Sequence, residues 1–485
     1  MEKLLDDDVE MHRCQPSDTS VRVATEHVLS ACDLLMTNVH TRMTIYYQLP
    51  RSTRESRQDI VQRLKTGLEK LASQVPCLTA TITIDSTSKR GLMKTAGDDD
   101  AILLLVRGAE TVSPDLPSFA HLERERFAPW VLPKGKIYPD ALINPVPLFE
   151  GQDEGLPACV FQVNFIEGGL ILTTAIHHFV ADGPSIDLLF QAWAAHCRDD
   201  KYELWTDRTI LSGPNSPDEV DTQELERIMV SRGCKVDSTR ADPKNPWSNF
   251  MAEPTKSAIV SFPGRAIATL KSQVKAQSPS TSVSTSDCLH AVLWAGLLRA
   301  KTTMLKDKAE GESWAIFPVN FRTHRIPEFP ANYIGNASFL NGAVLPIEQL
   351  KGPGGAHQAA MALRSTIQNV DSAYLSNGKA WANSIQEPST RTWLTNPPRA
   401  MDTAFASWAS LTSYRTWDLG FGRPAALRPA PQPLPFVIVL PVKTDKDGDD
   451  LFEVNVVATE ETHRILMADT DFRQYVSDYY LEVQE

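Results

Sequence analysis

The sequence predicts an α/β fold in two halves of similar size, and three observations carry that reading. The chain has 485 residues, more than one ordinary hydrophobic core accommodates, so two large domains are expected. Strand-like alternation and helical periodicity succeed each other in both halves. Between them, residues 206–256 lose that periodicity and hold Gly213-Pro214-Asn215-Ser216-Pro217, Asp242-Pro243 and Asn245-Pro246, the composition of a connector. The expected organisation is residues 1–205, a crossover at 206–256, and residues 257–485. A small-molecule site is expected where the halves meet.

The elements follow in order. Residues 1–20 read as a frayed end. Residues 59–75 form an amphipathic helix, with Ile60, Leu64, Leu68 and Leu71 on one stripe. Residues 78–85 alternate as a strand does, and 86–100 read as a polar loop. A proline-rich and turn-rich stretch at 113–158 precedes strands at 160–163 and 170–175, joined at Gly168-Gly169. Residues 185–197 carry Ile186, Leu189, Phe190, Trp193 and Ala194 at helical spacing. Pro184 suits the start of that helix and Gly183 the tight turn before it.

A short helix near 222–232 interrupts the connector. The second half opens with a strand at 258–262 and a helix that buries Ile267, Leu270 and Val274. The N-cap candidates Ser284-Thr285-Ser286-Asp287 introduce a long helix at 288–305. A buried strand at 315–320 and a helix at 356–369 follow. Residues 424–435 are extended, and strands at 436–440 and 452–457 flank a turn at Asp447-Gly448.

Composition excludes several classes of function. A 42% hydrophobic and 22% charged chain is globular. A net charge of −12 without Lys/Arg blocks argues against a nucleic-acid surface. No apolar run reaches membrane-spanning length, and residues 1–10 are acidic with no signal-peptide core. The seven cysteines are scattered and never in C-x-x-C spacing. A cytoplasmic chain with free thiols and no metal site is expected.

The densest chemistry lies in Ala175-Ile176-His177-His178-Phe179-Val180-Ala181-Asp182-Gly183. A histidine on a turn between a buried strand and a helix is placed to act as a general base. The aspartate four residues on either orients it or braces the turn.

With those residues in view, the chain resembles the BAHD acyltransferases of the chloramphenicol-acetyltransferase-like superfamily. His178-x-x-x-Asp182-Gly183 fits that family's first motif. Asp418-Leu419-Gly420-Phe421-Gly422 fits its second, with Leu and Phe where Phe and Trp are usual. Asn320-Phe321-Arg322 and Tyr333-Ile334-Gly335-Asn336 match the segment between them, and Ser407-Trp408 precedes the second motif as the family does. Residues 162–170 are similar to the fungal branch typified by trichothecene 3-O-acetyltransferase.

The resemblance implies two chloramphenicol-acetyltransferase-like domains of mixed sheet plus helices, joined by a long crossover loop. It implies a monomer that holds no permanent cofactor and takes acyl-CoA, acetyl-CoA in this branch, with a small-molecule acceptor. Its rivals are a freestanding condensation-like domain fed by a carrier protein and a non-catalytic ligand-binding relative. In this reading His178 removes the proton of the attacking hydroxyl or amine, being substantially neutral at pH 7, and no nucleophilic serine or cysteine is needed.

The resemblance also implies that Asp182 pairs with Arg322 and fixes the loop, and that His177 and Gly183 support it. Asp418, Gly420 and Gly422 are expected to shape a loop near the CoA channel. Ser407 and Trp408 line the site, with one of them a donor to the oxyanion. Ser284 and Thr285 are expected to meet CoA at a helix N-terminus, with Lys271, Lys275, Arg299 and Lys301 as a basic rim.

Overall fold

The computed structural model describes residues 6, 8–36, 39–49, 55–85, 91–133, 135–140, 142–143, 155–212, 221–232, 254–305, 311–384, 401–431 and 436–483. Six strands form the first sheet, in the order β1 (Val9–Cys14), β6 (Ile102–Arg107), β8 (Cys159–Ile166), β9 (Gly169–His177), β3 (His40–Gln48) and β14 (Ala426–Pro429). The second runs β12 (Ser338–Pro346), β11 (Glu312–Asn320), β13 (Thr403–Ser407), β15 (Phe436–Val439), β17 (Asp450–Ala458), β10 (Lys256–Pro263) and β18 (Asp478–Leu481), with β16 (Lys443–Thr444) on β17. A small sheet has the order β2 (Ala24–Val28), β5 (Gly91–Ala96), β4 (Thr81–Ile84) and β7 (Leu156–Pro157). Both large sheets mix pair types: β6 lies parallel to β8 and β13 to both β11 and β15, while β8 and β9 are antiparallel.

In the first half the helices are α1 (Ala31–Leu34), α2 (Arg57–Gln74), α3 (Phe119–Arg124) and α4 (Gly183–Cys197). Then come α5 (Thr222–Ser231), α6 (Gly264–Gln277), α7 (Thr285–Leu305), α8 (Ile347–Lys351), α9 (Gly355–Gln368) and α10 (Ser372–Ser384). The stripe read from the sequence builds α2: Ile60, Leu64, Leu68 and Leu71 are buried, and Ser56 and Asp59 close a capping box at its start.

Residue parity on the second sheet explains how the halves meet. Along β10, Ala258, Val260 and Phe262 enter the core shared with α6, α7 and α9, whereas Ile259 enters the core built on α2 and α4. Ile438 of β15 crosses in the same way. Alternate side chains leave opposite faces of a strand, so the second sheet covers its own helices with one face and contributes apolar residues to the first half's core with the other.

Several expectations need correction. Residues 9–14 are not frayed; they are the edge strand β1, paired with β6 from Val9↔Arg107 to Cys14↔Ile102. Their sequence, VEMHRC, alternates only over Val9 to His12, too short a run to mark a strand by itself. The polar loop at 86–100 contains β5, held between β2 and β4, and its residues 86–90 lie outside the described residues. The strand expected from 78 starts at Thr81, after a 3₁₀ turn at Pro76–Thr79. In the crossover, α5 forms with Asp221 as its N-cap, while Gly213–Pro217, Asp242-Pro243 and Asn245-Pro246 lie outside the described residues. So do 432–435 of the extended stretch, and Cys234.

The remainder of that stretch is β14, which pairs with β3 from Ala426↔Tyr46 to Pro429↔Met43. A strand from the C-terminal part of the chain thus edges the first sheet. Its Arg428 is 1% exposed and grips Glu453 of β17 through both guanidinium nitrogens, at 2.9 and 3.1 Å. Lys443 of β16 approaches the same carboxylate at 2.8 Å. Burial favours the neutral acid, but Arg428 and then Lys443 outweigh it and bring the Glu453 pKa down to about 2.

Removing one partner of a buried pair leaves a charge with reduced compensation, at a cost of about 3–5 kcal/mol. Arg428→Met is therefore expected to lower the unfolding free energy by about 3 kcal/mol, read by urea denaturation at pH 7. The folded pKa of Glu453 lies below its unfolded value, so its contribution is complete above pH 4.5 and is lost as pH falls toward 2. The gap between the variant and the parent chain should narrow over that range; a gap independent of pH would reject this account.

Candidate active site

The first sheet delivers the His177-His178 turn. β9 is buried along its whole length, lies between β8 and β3, and ends at His177. A two-residue turn, Glu167-Gly168, sets its start, with Gly168 at φ +79°, a conformation glycine adopts without Cβ strain. At the other end Asp182 is the N-cap of α4, and its Oδ1 accepts from Ser185 N–H at 2.9 Å. Gly183 is the first residue of α4 and has no positive φ. An added Cβ would stand 3.8 Å from Trp408 Cδ1, an ordinary contact, so neither backbone conformation nor packing demands glycine there.

His177 is fully buried. Its Nδ1 accepts from Phe179 N–H at 3.2 Å, and its ring meets His40 edge-on at 4.9 Å. Burial, then the neighbouring His40 and His178, hold its pKa well below the usual histidine value. It is a neutral structural group beneath the turn.

The backbone of His178 is pinned on both sides. Its N–H donates to Val39 O at 2.8 Å, and its C=O accepts from Asn336 Nδ2 at 2.9 Å. Ring Nδ1 is buried and has no hydrogen-bond partner, which leaves Nε2 as the nitrogen open to a substrate. Burial lowers the pKa of this imidazole below 6.5, opposed by its own carbonyl, Asp182 and Asn336. At neutral pH the ring is a free base.

Asp182 points the other way. Its Oδ2 accepts from Arg322 Nη1 at 2.9 Å and from Ala337 N–H at 2.8 Å. Burial pushes its pKa up, but the Arg322 charge and these hydrogen bonds bring it below the usual carboxylate value. Arg322 also donates to Tyr333 O, Ser185 Oγ and Gly335 O at 3.1, 2.7 and 3.0 Å. Both side chains are almost sealed, at 3% and 5% exposure. The expected Asp182–Arg322 pair is thus present, and Asp182 makes no hydrogen bond to the His178 ring, unlike the orienting acid of a triad. The second sheet supplies this brace: residues 321–337 link β11 to β12 and lie against the turn.

The second motif is not beside His178. Asp418 Oδ1 accepts from Gly420 and Gly422 N–H at 2.9 and 3.0 Å. Both glycines have positive φ, +98° and +114°. Arg198, just past the C-terminal end of α4, donates to Asp418 O at 2.5 Å. His178 precedes the opposite end of that helix, and the 15 residues of α4 span about 22 Å. The motif is bolted to the scaffold by Tyr47 Oη donating to Trp417 O at 2.9 Å and by Trp417 stacked on Phe190 at 4.1 Å.

The other expected site residues divide, Trp408 lying beside the turn and the rest elsewhere. Trp408 is 8% exposed, packs beside Gly183 in the core under the turn, and its indole makes no hydrogen bond. Ser407 is an exposed strand end. Ser284 Oγ accepts from Asp287 N–H at 3.1 Å, so its hydroxyl caps α7, and Thr285 is the first residue of that helix. Two members of the expected basic rim are engaged elsewhere: Arg299 pairs with Asp469 at 2.7 Å, and the half-buried Lys301 donates to Asp402 O. Lys271 and Lys275 are exposed.

Some functional neighbours left little trace in the sequence. Ser185 bridges Arg322 and Gly335. Asp187 of α4 accepts from Trp417 Nε1 at 2.8 Å and from Thr412 N–H at 2.8 Å. Arg208 donates to carbonyls of the turn and is held by Asp33, and no motif flags either residue. Asn336 stood in a matched segment but without an assigned role. Among the described residues, no group of three or more His, Cys, Asp or Glu could hold a metal ion, and no helix is long and apolar enough to cross a membrane.

Residues 39–197 match the family model of the trichothecene 3-O-acetyltransferase-like N-terminal domain. Over that third of its length the chain is similar to that acetyltransferase-like family. It is 24% identical over 474 residues to "Acyltransferase easC" of Emericella nidulans, covering 92% of this chain and 94% of the relative. It is 25% identical over 449 residues to "O-acetyltransferase dmxR13" of Cryptosporiopsis sp., covering 89% and 93%. In fold it is similar to F. graminearum TRI101 complexed with ethyl coenzyme A, at TM-score 0.74 and 19% identity over 94% of this chain and 100% of the other. Vinorine synthase shares the fold at TM-score 0.64 and 16% identity, over 96% and 98%.

Two substitutions test the division between the motifs. Arg322→Gln leaves Asp182 buried without its cation and is expected to lower the unfolding free energy by about 3–5 kcal/mol, read by chemical denaturation. Gly420→Ala places a Cβ at φ +98° and 2.8 Å from Arg63 Cδ, costing about 1–3 kcal/mol. At temperatures where Gly420→Ala stays folded, its KM for the donor should stay within about twofold, because the motif stands a helix length from His178. A large rise in donor KM would return that loop to the site.

Proposed function

We propose that this acyltransferase moves an acyl group, acetyl first among candidates, from coenzyme A to a hydroxyl or amine of a secondary-metabolite acceptor, with His178 as the general base. The observation that carries the reading is the His178 imidazole itself: pinned at both backbone sides, neutral, and with Nε2 as its open nitrogen. The relatives named as an acyltransferase and an O-acetyltransferase, and the structural neighbour holding ethyl coenzyme A, supply the donor class.

The chemistry needs few groups. Nε2 accepts the acceptor's proton as its oxygen or nitrogen attacks the thioester carbonyl. The tetrahedral intermediate collapses as the carbon–sulfur bond breaks, and the imidazolium returns the proton to the departing thiolate. No acyl-enzyme forms, so no nucleophilic side chain is required. The unpartnered Trp408 indole N–H beside Gly183 is the candidate donor to the oxyanion, worth about 2.7–4 kcal/mol if it acts alone. Asp182 and Arg322 hold the turn and take no proton. The two halves would then act as separate domains, residues 1–205 supplying the base and 257–485 the brace, with the crossover between them.

The test is direct. His178→Ala is expected to retain its circular dichroism and melting profile while losing turnover of acetyl-CoA with a panel of alcohol and amine acceptors, followed by mass spectrometry. A folded variant with near-parental turnover would sink the assignment. The pH dependence has a defined sign. The base works in its neutral form and its pKa is lowered from 6.5, so the acidic limb of kcat/KM should have its midpoint below 6.5. Activity should persist at pH 6.5 and fall as pH drops further. A midpoint above 7 would mean that another group limits the rate.

A further inference from the structure

The turn that carries His178 is held from a second side, by groups independent of the Asp182–Arg322 pair. Asp33 on α1 is fully buried. Its Oδ2 accepts from Ser30 Oγ at 2.7 Å and from Ser30 N–H at 3.1 Å. Its Oδ1 accepts from Arg208 Nη2 at 2.7 Å and from Asn336 Nδ2 at 3.0 Å. Arg208 comes from the 3₁₀ turn Arg208–Leu211 at the start of the crossover. It donates Nη1 to Val180 O at 2.9 Å and Nη2 to Phe179 O at 3.2 Å. Asn336 donates to His178 O.

The carbonyls of three consecutive residues, 178 to 180, therefore end on two side chains, and both side chains end on one carboxylate. The geometry has a mechanical consequence. The His178 N–H is tied to Val39 O and its C=O to Asn336, so the peptide planes on both sides of its Cα are fixed. Arg208 fixes the next two. What remains free is the rotation of the side chain itself. The direction in which Nε2 faces is thus a property of this network as much as of the ring. The Asp33 carboxylate accepts from five donors, the Asn336 N–H at 3.4 Å included, and has no capacity left for the reaction.

We propose that Asp33 and Arg208 are positioning residues for acyl transfer, acting through the backbone of residues 178–180 to hold the His178 imidazole in its reactive direction. This rests on His178 being the general base. A guanidinium is suited to the task because one planar fork reaches a carboxylate and two carbonyls at once; an ammonium cannot reproduce that spread. A buried pair could equally be a plain fastener, so the experiment must separate orientation from stability.

Arg208→Lys and Arg208→Ala are made alone and in the His178→Ala background, with kcat, KM for each substrate and thermal melting measured for all. Misplacing a catalytic group by about 1 Å costs about a hundredfold. The expected result for Arg208→Ala is a kcat lower by about a hundredfold, with both KM values within about threefold and melting above the assay temperature. Arg208→Lys, which keeps the charge against Asp33, should lose about tenfold. In the His178→Ala background neither change should lower the residual rate by more than about twofold, because groups acting through one another are not additive.

A folded Arg208→Lys and Arg208→Ala with parental kcat would overturn the proposal. So would an equal fold-loss with and without His178, the mark of a plain fastener. If Arg208→Ala does not fold, the lysine variant decides by the same split between kcat and KM. His178→Ala alone reports separately on the base: parental turnover there would remove the proposed mechanism, whatever the Arg208 variants do.

Discussion

The buried carboxylate of Asp182 is the constraint on which the His177-His178 turn depends. An ionised carboxylate removed from water is costly unless its lone pairs are satisfied. Here Oδ1 caps α4 through Ser185 N–H, while Oδ2 receives Arg322 and Ala337 N–H from the segment between β11 and β12. One anion therefore terminates a helix of the first half and docks a loop of the second. The cap requires Asp182 to stand just before α4. The strand β9 requires His177 at its end. The few residues between must then form a tight turn, and that turn presents His178. The position of His178, the proposed base, follows from two structural demands on its neighbours.

The helix α4 carries this constraint through the first half. Its start holds Asp182, its middle holds Asp187 against Trp417 and Thr412, and Arg198 beyond its end meets Asp418. The two motifs, half a chain apart in sequence, are thus two ends of one lever. The second motif packs against the far end of the helix whose start carries the first. That explains why Leu419 and Phe421 can replace other apolar residues: Leu419 is buried in the core and Phe421 lies edge-on to Tyr47 at 5.1 Å, contacts that ask for bulk and apolarity.

How much of this was legible follows from the range of each interaction. The apolar stripe of α2, the β8–β9 turn and the α4 start were readable, because each signal lies within one short stretch of chain, whereas the capping box at Ser56 was missed and the helix expected from 59 starts at Arg57. The Asp182–Arg322 pair could be expected only through the family resemblance, since nothing local in Asn320-Phe321-Arg322 points to an aspartate 140 positions earlier. Asp33 and Arg208, 175 positions apart, were missed because a short helix and a 3₁₀ turn carry no periodicity to flag. β1 and β14 were missed for a related reason. Both are edge strands, whose sequences answer to a neighbour's backbone more than to a core.

Among the described residues, three buried guanidinium–carboxylate pairs sit where separate stretches of chain meet: Asp33–Arg208, Asp182–Arg322 and Arg428–Glu453. Their distribution has a physical logic. Apolar packing between the second sheet and the first half's core is strong but non-directional, and by itself it tolerates small slides of one sheet over the other. A bidentate or forked guanidinium accepts only a narrow geometry, so each pair converts a broad apolar contact into a defined register. Such pairs contribute little net stability against well-packed apolar residues. Their placement here, two of them bearing on the same turn from different directions, is better explained by register. A general base gains or loses rate over displacements of about 1 Å, far less than an apolar interface alone would hold.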